Sequence, residues 1–119
     1  MRMFLILLPL LLISLFFQVT TTQTVGGWEP IENITDSHVQ ELGNYAVSEH
    51  NRQSGDNLDF LYVMSGAKQF DEATGREKYG LYIEARDAED MLGLYRALVY
   101  EGYGDGYREL KFFNRTSSS

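Results

Sequence analysis

Cysteine is absent from the 119-residue sequence, and histidine occurs only twice, at His38 and His50. The lack of cysteine excludes disulfides, a thiol nucleophile, a cysteine-ligated zinc site and an iron–sulfur cluster. Two histidines are too few to close a tetrahedral metal site from this chain alone. We therefore predict no metal and no cofactor, and a fold held together by its core and its sheet alone.

Positive charge is also scarce. The chain has 10 Lys and Arg against 17 Asp and Glu, which gives a formal net charge of −7 at pH 7. An acidic balance of this kind argues against nucleic acid and against anionic membranes as partners, and it favours solubility.

The long hydrophobic run of a membrane-spanning helix is missing too. Behind Arg2, the uncharged and mostly apolar residues 4–17 form a run shorter than the roughly 20 residues that cross a bilayer, and no basic flank follows. This pattern is typical of a secretory signal peptide, with a membrane anchor as the alternative. We predict a signal peptide over residues 1–22 and one domain over residues 23–119, in a protein that is secreted or stays within the secretory or vacuolar route. Without Arg2, nine basic residues face 17 acidic ones, a net charge of −8.

Entry into the secretory route gives meaning to two glycosylation sequons. These are Asn33-Ile34-Thr35 and Asn114-Arg115-Thr116. We predict glycans at Asn33 and Asn114, although such triplets also arise by chance.

A helix is predicted over residues 37–51. Asp36 or Ser37 is a suitable N-cap, and Ser37 with Gln40 matches a capping box. The face that includes Val39, Leu42, Ala46 and His50 has helical spacing. Gly43 inside the helix costs about 1 kcal/mol relative to alanine, so we expect another element to approach closely there.

Four segments rich in aromatic and branched residues follow the helix and are predicted to be strands. They cover residues 58–64, 79–85, 94–100 and 107–113. The acidic and glycine-rich segments between them are typical of turns. One helix followed by four closely connected strands predicts an α+β fold, with the helix across one face of a four- to five-stranded antiparallel sheet.

No grouping of residues predicts an active site. Ser48, Glu49 and His50 are adjacent in the predicted helix, where neighbours at these spacings do not face one another. The glycine-rich residues 102–106 lie between strands rather than before a helix, unlike a phosphate-binding loop. We therefore predict that the protein is not an enzyme.

The order of these elements leads to a family resemblance. Residues 42–51, Leu-Gly-Asn-Tyr-Ala-Val-Ser-Glu-His-Asn, resemble the plant-cystatin signature Leu-Ala-Arg-Phe-Ala-Val with its aromatic-Asn end, with Gly43 replacing Ala and Tyr45 replacing Phe. Residues 26–31 are similar to the family's glycine-bearing N-terminal trunk, and residues 58–66 to the strand before its first hairpin. The resemblance implies a monomeric inhibitor whose partner is a papain-like cysteine protease.

In that family, a wedge formed by the trunk and two hairpin loops fills the protease cleft. Carried over to this sequence, the resemblance assigns protease-binding roles to Gly26 and Gly27 of the trunk, to Gln69, Phe70 and Gly75 of the first hairpin, and to Tyr103 and Gly104 of the second.

Both hairpins depart from the family pattern. The first is two residues longer than Gln-x-Val-x-Gly and carries Asp71 and Glu72 at its expected tip, where an interface core is usually depleted of charge. The second has Tyr-Gly in place of Pro-Trp, which removes a typical hot-spot residue. We expect a weakened or retuned inhibitor. A cystatin-fold protein that binds another partner, and a structural or storage protein, are the alternatives.

Overall fold

A computed structural model describes residues 27–116 of the chain. The predicted signal peptide and Gly26 lie outside the described residues. The elements are β1 (Glu29–Pro30), α1 (Ser37–Ser54), β2 (Asp59–Asp71), β3 (Arg76–Arg86), β4 (Leu92–Gly102) and β5 (Arg108–Arg115). No helix in this part of the chain is long and apolar enough to span a membrane.

The strands form one sheet in the order β1-β2-β3-β4-β5, and every neighbouring pair is antiparallel. The predicted α+β fold is confirmed. The strands are longer than predicted, because the ladder continues through polar pairs such as Gln69 with Lys78 and Glu77 with Glu101. Strand pairing, and not local apolar composition, sets these ends.

The helix is also longer than predicted, because it ends at Ser54 rather than Asn51. Gly55 adopts a left-handed conformation with φ of 82°, and its N–H donates to the carbonyl of Asn51 at 2.9 Å. This is the usual glycine stop at a helix C-terminus.

The predicted capping box is wrong. Within residues 27–116, the Asp36 side chain makes no capping hydrogen bond to α1. The Gln40 side chain instead bonds the backbone of β2: its Oε1 accepts from the Val63 N–H at 2.9 Å, and its Nε2 donates to the Ile34 carbonyl at 2.7 Å. A long-range backbone partner therefore replaces the local one.

The core lies between α1 and one face of the sheet. From α1 it contains Val39, Leu42, Ala46 and Val47, and from the sheet Val63, Leu81, Ile83, Ala85, Tyr95, Ala97 and Val99. The prediction that Val39, Leu42 and Ala46 face the sheet is thus confirmed.

The predicted close approach at Gly43 is also present. A Cβ atom on Gly43 would lie 2.3 Å from Val63 Cγ2 and 2.9 Å from Phe60 Cε1. His50, the last residue of the predicted apolar face, is only partly buried. Its ring stacks on Phe113 with centroids 4.2 Å apart, and its Nε2 lies 2.7 Å from Asp56 Oδ2.

Candidate functional site

Two loops and the N-terminal trunk meet at one end of the sheet. The first loop, residues 72–75, joins β2 to β3, and the second loop, residues 103–107, joins β4 to β5. Both leave the sheet at the end where Arg76 of β3 pairs with Gly102 of β4. We call this end, with the trunk beside it, the hairpin edge.

The trunk reaches the hairpin edge through Gly27. A Cβ atom on Gly27 would lie 2.9 Å from Gln69 Nε2, and the φ of Gly27 is 83°. Both the contact and the backbone conformation favour glycine at this position. The trunk then continues into β1, where Glu29 pairs with Lys68 of β2, so the predicted trunk and first-hairpin residues are neighbours.

The first loop is shorter than predicted, because Gln69, Phe70 and Asp71 belong to β2. Asp71 therefore ends β2 rather than lying at the tip of the loop, where the sequence placed it. Its Oδ1 accepts from the Ala73 N–H at 3.1 Å, its Oδ2 accepts from the Thr74 hydroxyl at 3.0 Å, and its carbonyl accepts from Gly75 at 2.8 Å. The Asp71 carboxylate is therefore used to build the turn, as short acidic side chains often are.

The first loop also depends on Gly75. This residue, predicted to close the hairpin, has a φ of 72° and an open environment. Glu72 remains an exposed carboxylate.

The exposed aromatic residues of the two hairpins lie side by side. The Phe70 and Tyr103 ring centroids are 5.9 Å apart, and the two residues are 47% and 68% exposed. The Tyr103 hydroxyl donates to Glu77 Oε1 at 2.6 Å, and this hydrogen bond raises the pKa of Tyr103. A β3 carboxylate thus ties the tip of the second loop to the first hairpin.

Hydrogen bonds within the second loop fix its shape. Gly102 donates to the Tyr107 carbonyl at 3.0 Å, and the Tyr107 N–H donates to Asp105 Oδ1 at 3.0 Å. Gly104 and Gly106 have positive φ of 71° and 74°. The predicted Tyr103-Gly104 pair therefore lies in a turn whose backbone requires glycine on the C-terminal side of the tyrosine.

Sequence reasoning missed the residues that support the second loop. The Arg76 guanidinium carbon lies 3.6 Å from the Tyr107 ring centroid, and the Tyr107 hydroxyl bonds Glu109, which lowers the pKa of that carboxyl. The contact between Arg76 and Tyr107 has no local signal, because it depends on the β3–β4–β5 pairing. Tyr107 and Glu109 are only two residues apart, a spacing that places side chains on the same side of an extended chain.

The side chains considered for catalysis point to separate partners. Glu49 bonds Arg52 and Gln53, while His50 faces Asp56, so Ser48, Glu49 and His50 do not form a relay. Across the described residues, no group of three or more His, Cys, Asp or Glu side chains is placed to hold a metal ion.

Both predicted glycan acceptors are exposed. Asn33 lies in the turn before α1, where its Oδ1 accepts from the Thr35 hydroxyl at 3.0 Å, and Asn114 pairs with Arg96 on the β5 edge strand. Glycosylation of either residue stays a prediction.

Comparison with known proteins gives consistent matches. The sequence profile of a family described as "Aspartic acid proteinase inhibitor" matches residues 31–116. "Cysteine proteinase inhibitor 5" of Arabidopsis thaliana is 37% identical over 110 residues, which cover 92% of this chain and 88% of that relative. "Cysteine proteinase inhibitor 1" of Actinidia chinensis is 38% identical, covering 76% of this chain and 74% of the relative. "Cysteine proteinase inhibitor 6" of Oryza sativa is 41% identical, covering 75% and 78%.

The names of these matches differ in the class of proteinase but agree on inhibition. The three relatives are 37–41% identical and match 75–92% of this chain, and the helix and antiparallel sheet are the fold that the family resemblance implied. This protein therefore belongs to the plant cystatins, a family of proteinase inhibitors rather than of enzymes.

Proposed function

We propose that this protein is a secreted inhibitor of papain-like cysteine proteases and that its hairpin edge enters the protease cleft. The trunk glycines Gly26 and Gly27 would pass close to the catalytic centre, where a side chain would obstruct the approach. Phe70 and Tyr103 would supply apolar contact to the walls of the cleft. The inhibitor acts as a monomer and takes no part in bond cleavage.

One observation carries the proposal: three segments far apart in sequence meet at one edge. Gly27 lies against Gln69, and Phe70 lies against Tyr103 with ring centroids 5.9 Å apart. The two aromatic side chains are among the exposed large hydrophobic residues, and adjacent exposed apolar groups of this kind are a feature of protein–protein interaction sites. Aromatic residues are also enriched in the binding cores of protein interfaces.

We also propose that the inhibitor is weaker than, or tuned differently from, relatives with a tryptophan in the second hairpin. Tyrosine offers less apolar area, and Tyr103 already uses its hydroxyl on Glu77. The charge of the first hairpin opposes protease binding less than its sequence indicates, because the Asp71 carboxylate accepts hydrogen bonds within the turn. Glu72 is then the exposed carboxylate that must stay hydrated or meet a cationic group on the protease.

Inhibition of an aspartic protease is the second candidate. It is favoured by the description of the matching family profile, whose match begins at Ile31 and so omits the trunk. The Arabidopsis relative matches 92% of this chain, a share too large to omit the trunk, and its name refers to cysteine proteinases. We favour the cysteine protease because the trunk is part of the proposed binding edge.

Inhibition titrations of papain and pepsin test the two candidates. We expect inhibition of papain, and at least a tenfold loss for Tyr103→Ala, about 1.4 kcal/mol. Tyr82→Ala is the matched control, since Tyr82 is 41% exposed on the sheet away from the hairpin edge, and we expect less than a twofold change. Inhibition of pepsin alone would support the second candidate. A folded protein that inhibits neither enzyme would favour a non-inhibitory binding protein or a storage role.

Secretion is tested separately. The full chain, expressed in plant cells, should yield a mature protein whose first residue, determined by mass spectrometry, lies between positions 20 and 24. An intact N-terminus in the membrane fraction would support the anchor instead.

A further inference from the structure

The base of the second loop carries an ion pair that joins β4 to β5. Glu101 and Arg108 are directly opposite each other in the β4–β5 ladder. They are the next pair in the sheet after Gly102 and Tyr107, whose hydrogen bond closes the loop. Arg108 donates to Glu101 Oε2 through Nε at 3.2 Å and Nη2 at 2.7 Å. The two side chains are only 25% and 16% exposed.

Arg108 uses its remaining donors on the helix. Its Nη1 donates to Glu41 Oε2 at 3.0 Å, and its Nη2 lies 3.4 Å from Glu41 Oε1. The guanidinium also lies over the Tyr45 ring, 5.3 Å from its centroid. A planar guanidinium that contacts two carboxylates and one aromatic ring keeps little rotational freedom.

His38 adds a second link between the helix and the same strand pair. Its Nε2 lies 2.7 Å from Glu101 Oε1, and its Nδ1 lies 3.6 Å from Glu41 Oε1. The four side chains thus form a closed ring that joins the first two turns of α1 to β4 and β5. We call this ring the charged clamp.

The electrostatics agree with this geometry. The hydrogen bond from Arg108 holds the pKa of Glu41 below its ordinary value, and the bond to Glu41 raises the pKa of Arg108. Since α1 is fixed to the sheet by its buried face, a side chain bonded to α1 and to the loop base is held by the rigid part of the fold.

We propose that the charged clamp positions the second loop for protease binding, with Arg108 as its central positioning residue. This inference rests on the proposed function, because the second loop is part of the hairpin edge. Arg108 itself lies behind the loop and is not required to touch the protease. Its effect on binding comes from keeping residues 103–107 in one arrangement, which lowers the ordering cost of association.

The test compares Arg108→Met with Arg115→Met. Arg115 lies on the same strand and stacks over the Tyr95 ring at 5.9 Å, but at the far end of the sheet. Two quantities are measured: amide hydrogen exchange at Gly102, whose N–H closes the loop, and the inhibition constant for papain. For Arg108→Met we expect at least fivefold faster exchange at Gly102 and at least fivefold weaker inhibition. For Arg115→Met we expect both to change less than twofold.

The exchange measurement separates failure of this inference from failure of the proposed function. If the native protein does not inhibit papain but Arg108→Met still accelerates exchange at Gly102, the proposed function is wrong. The claim that the charged clamp holds the second loop in one arrangement is then still supported. If the native protein inhibits papain and exchange at Gly102 is unchanged in Arg108→Met, the claim that the charged clamp positions the second loop is wrong. Weaker inhibition without faster exchange would also overturn it, because Arg108 would then act by direct contact.

A second variant guards against loss of the fold in Arg108→Met. Glu41→Gln removes one carboxylate of the clamp at a residue whose side chain is 57% exposed and outside the core. We expect a smaller change in the same direction, at least twofold in both measurements. No change in either measurement in folded Glu41→Gln would overturn the link to the helix.

Discussion

The contact of Gly43 with the sheet predicts an unusual response to the smallest possible substitution. Alanine is a better helix former than glycine by about 1 kcal/mol, so Gly43→Ala would stabilise an isolated helix. In the folded protein, the added Cβ would lie 2.3 Å from Val63 Cγ2, which is shorter than any normal carbon–carbon contact. Val63 is 2% exposed, so the overlap falls within the buried core.

The magnitude follows from these two opposing effects. Overpacking of a well-filled core costs about 1–3 kcal/mol, while the gain in helix propensity returns about 1 kcal/mol. We therefore expect Gly43→Ala to lower the free energy of unfolding by up to about 2 kcal/mol. Asn44→Ala on the exposed side of the same helix is the control, and it should be neutral or slightly stabilising.

A double-mutant cycle isolates the contact. Val63→Ala removes the obstructing methyl and by itself should cost about 2–3 kcal/mol, from lost burial and the cavity left behind. In that background Gly43→Ala should become neutral or stabilising by up to about 1 kcal/mol. The coupling between the two changes is then about 1–3 kcal/mol, within the range found for residues in contact.

Urea unfolding followed by circular dichroism measures each corner of this cycle. If Gly43→Ala has the same effect in both backgrounds, the close approach of Val63 does not determine the choice of glycine. In that case the Phe60 ring, whose Cε1 would lie 2.9 Å from the new Cβ, would be the next contact to test.

Three further predictions concern the hairpin edge and the alkaline stability. Gly27→Glu should weaken papain inhibition at least tenfold and leave the melting temperature within 1–2 °C, because a short N-terminal segment contributes little to the core; equal loss of both would make the trunk structural. Replacing residues 69–75 with Gln-Val-Val-Ala-Gly and residues 103–104 with Pro-Trp should tighten papain inhibition at least tenfold, about 1.4 kcal/mol, and a native protein that already binds as tightly would show that the drift is neutral. Burial raises the pKa of Tyr79 to about 12, so the folded state keeps the phenol neutral where the unfolded chain ionises it near pH 10. The neutral Tyr79 phenol therefore contributes up to about 3 kcal/mol to the free energy of unfolding, a contribution that is complete below pH 10 and is lost as the pH rises to 12. Urea unfolding at pH 9 and 11.5 should show a smaller loss of stability in Tyr79→Phe than in the native protein. An equal loss would refute the assignment to Tyr79.

The positions of the site residues were only partly determined by the sequence. Residue types and family spacing identified Gly27, Gln69 and Tyr103, and the structure brings their segments to one edge. The local chemistry around them was not predictable in the same way. The sequence places Asp71 at the loop tip, whereas in the structure its carboxylate accepts hydrogen bonds from the amide of Ala73 and the hydroxyl of Thr74. The state of a carboxylate depends on the donors that the chain conformation leaves available.

Local patterns are enough to predict the helix, the four long strands and their antiparallel order, because periodicity, turn residues and short connections are local properties of the chain. Which polar groups meet across that framework depends instead on how helix and sheet pack. Gln40 bonds Val63 rather than the helix end, and Arg108 reaches Glu41, which is distant in sequence. The physical reason is that a polar side chain takes whichever partner the packed elements bring within about 3 Å, and that distance is fixed only after helix and sheet have buried their apolar faces against each other.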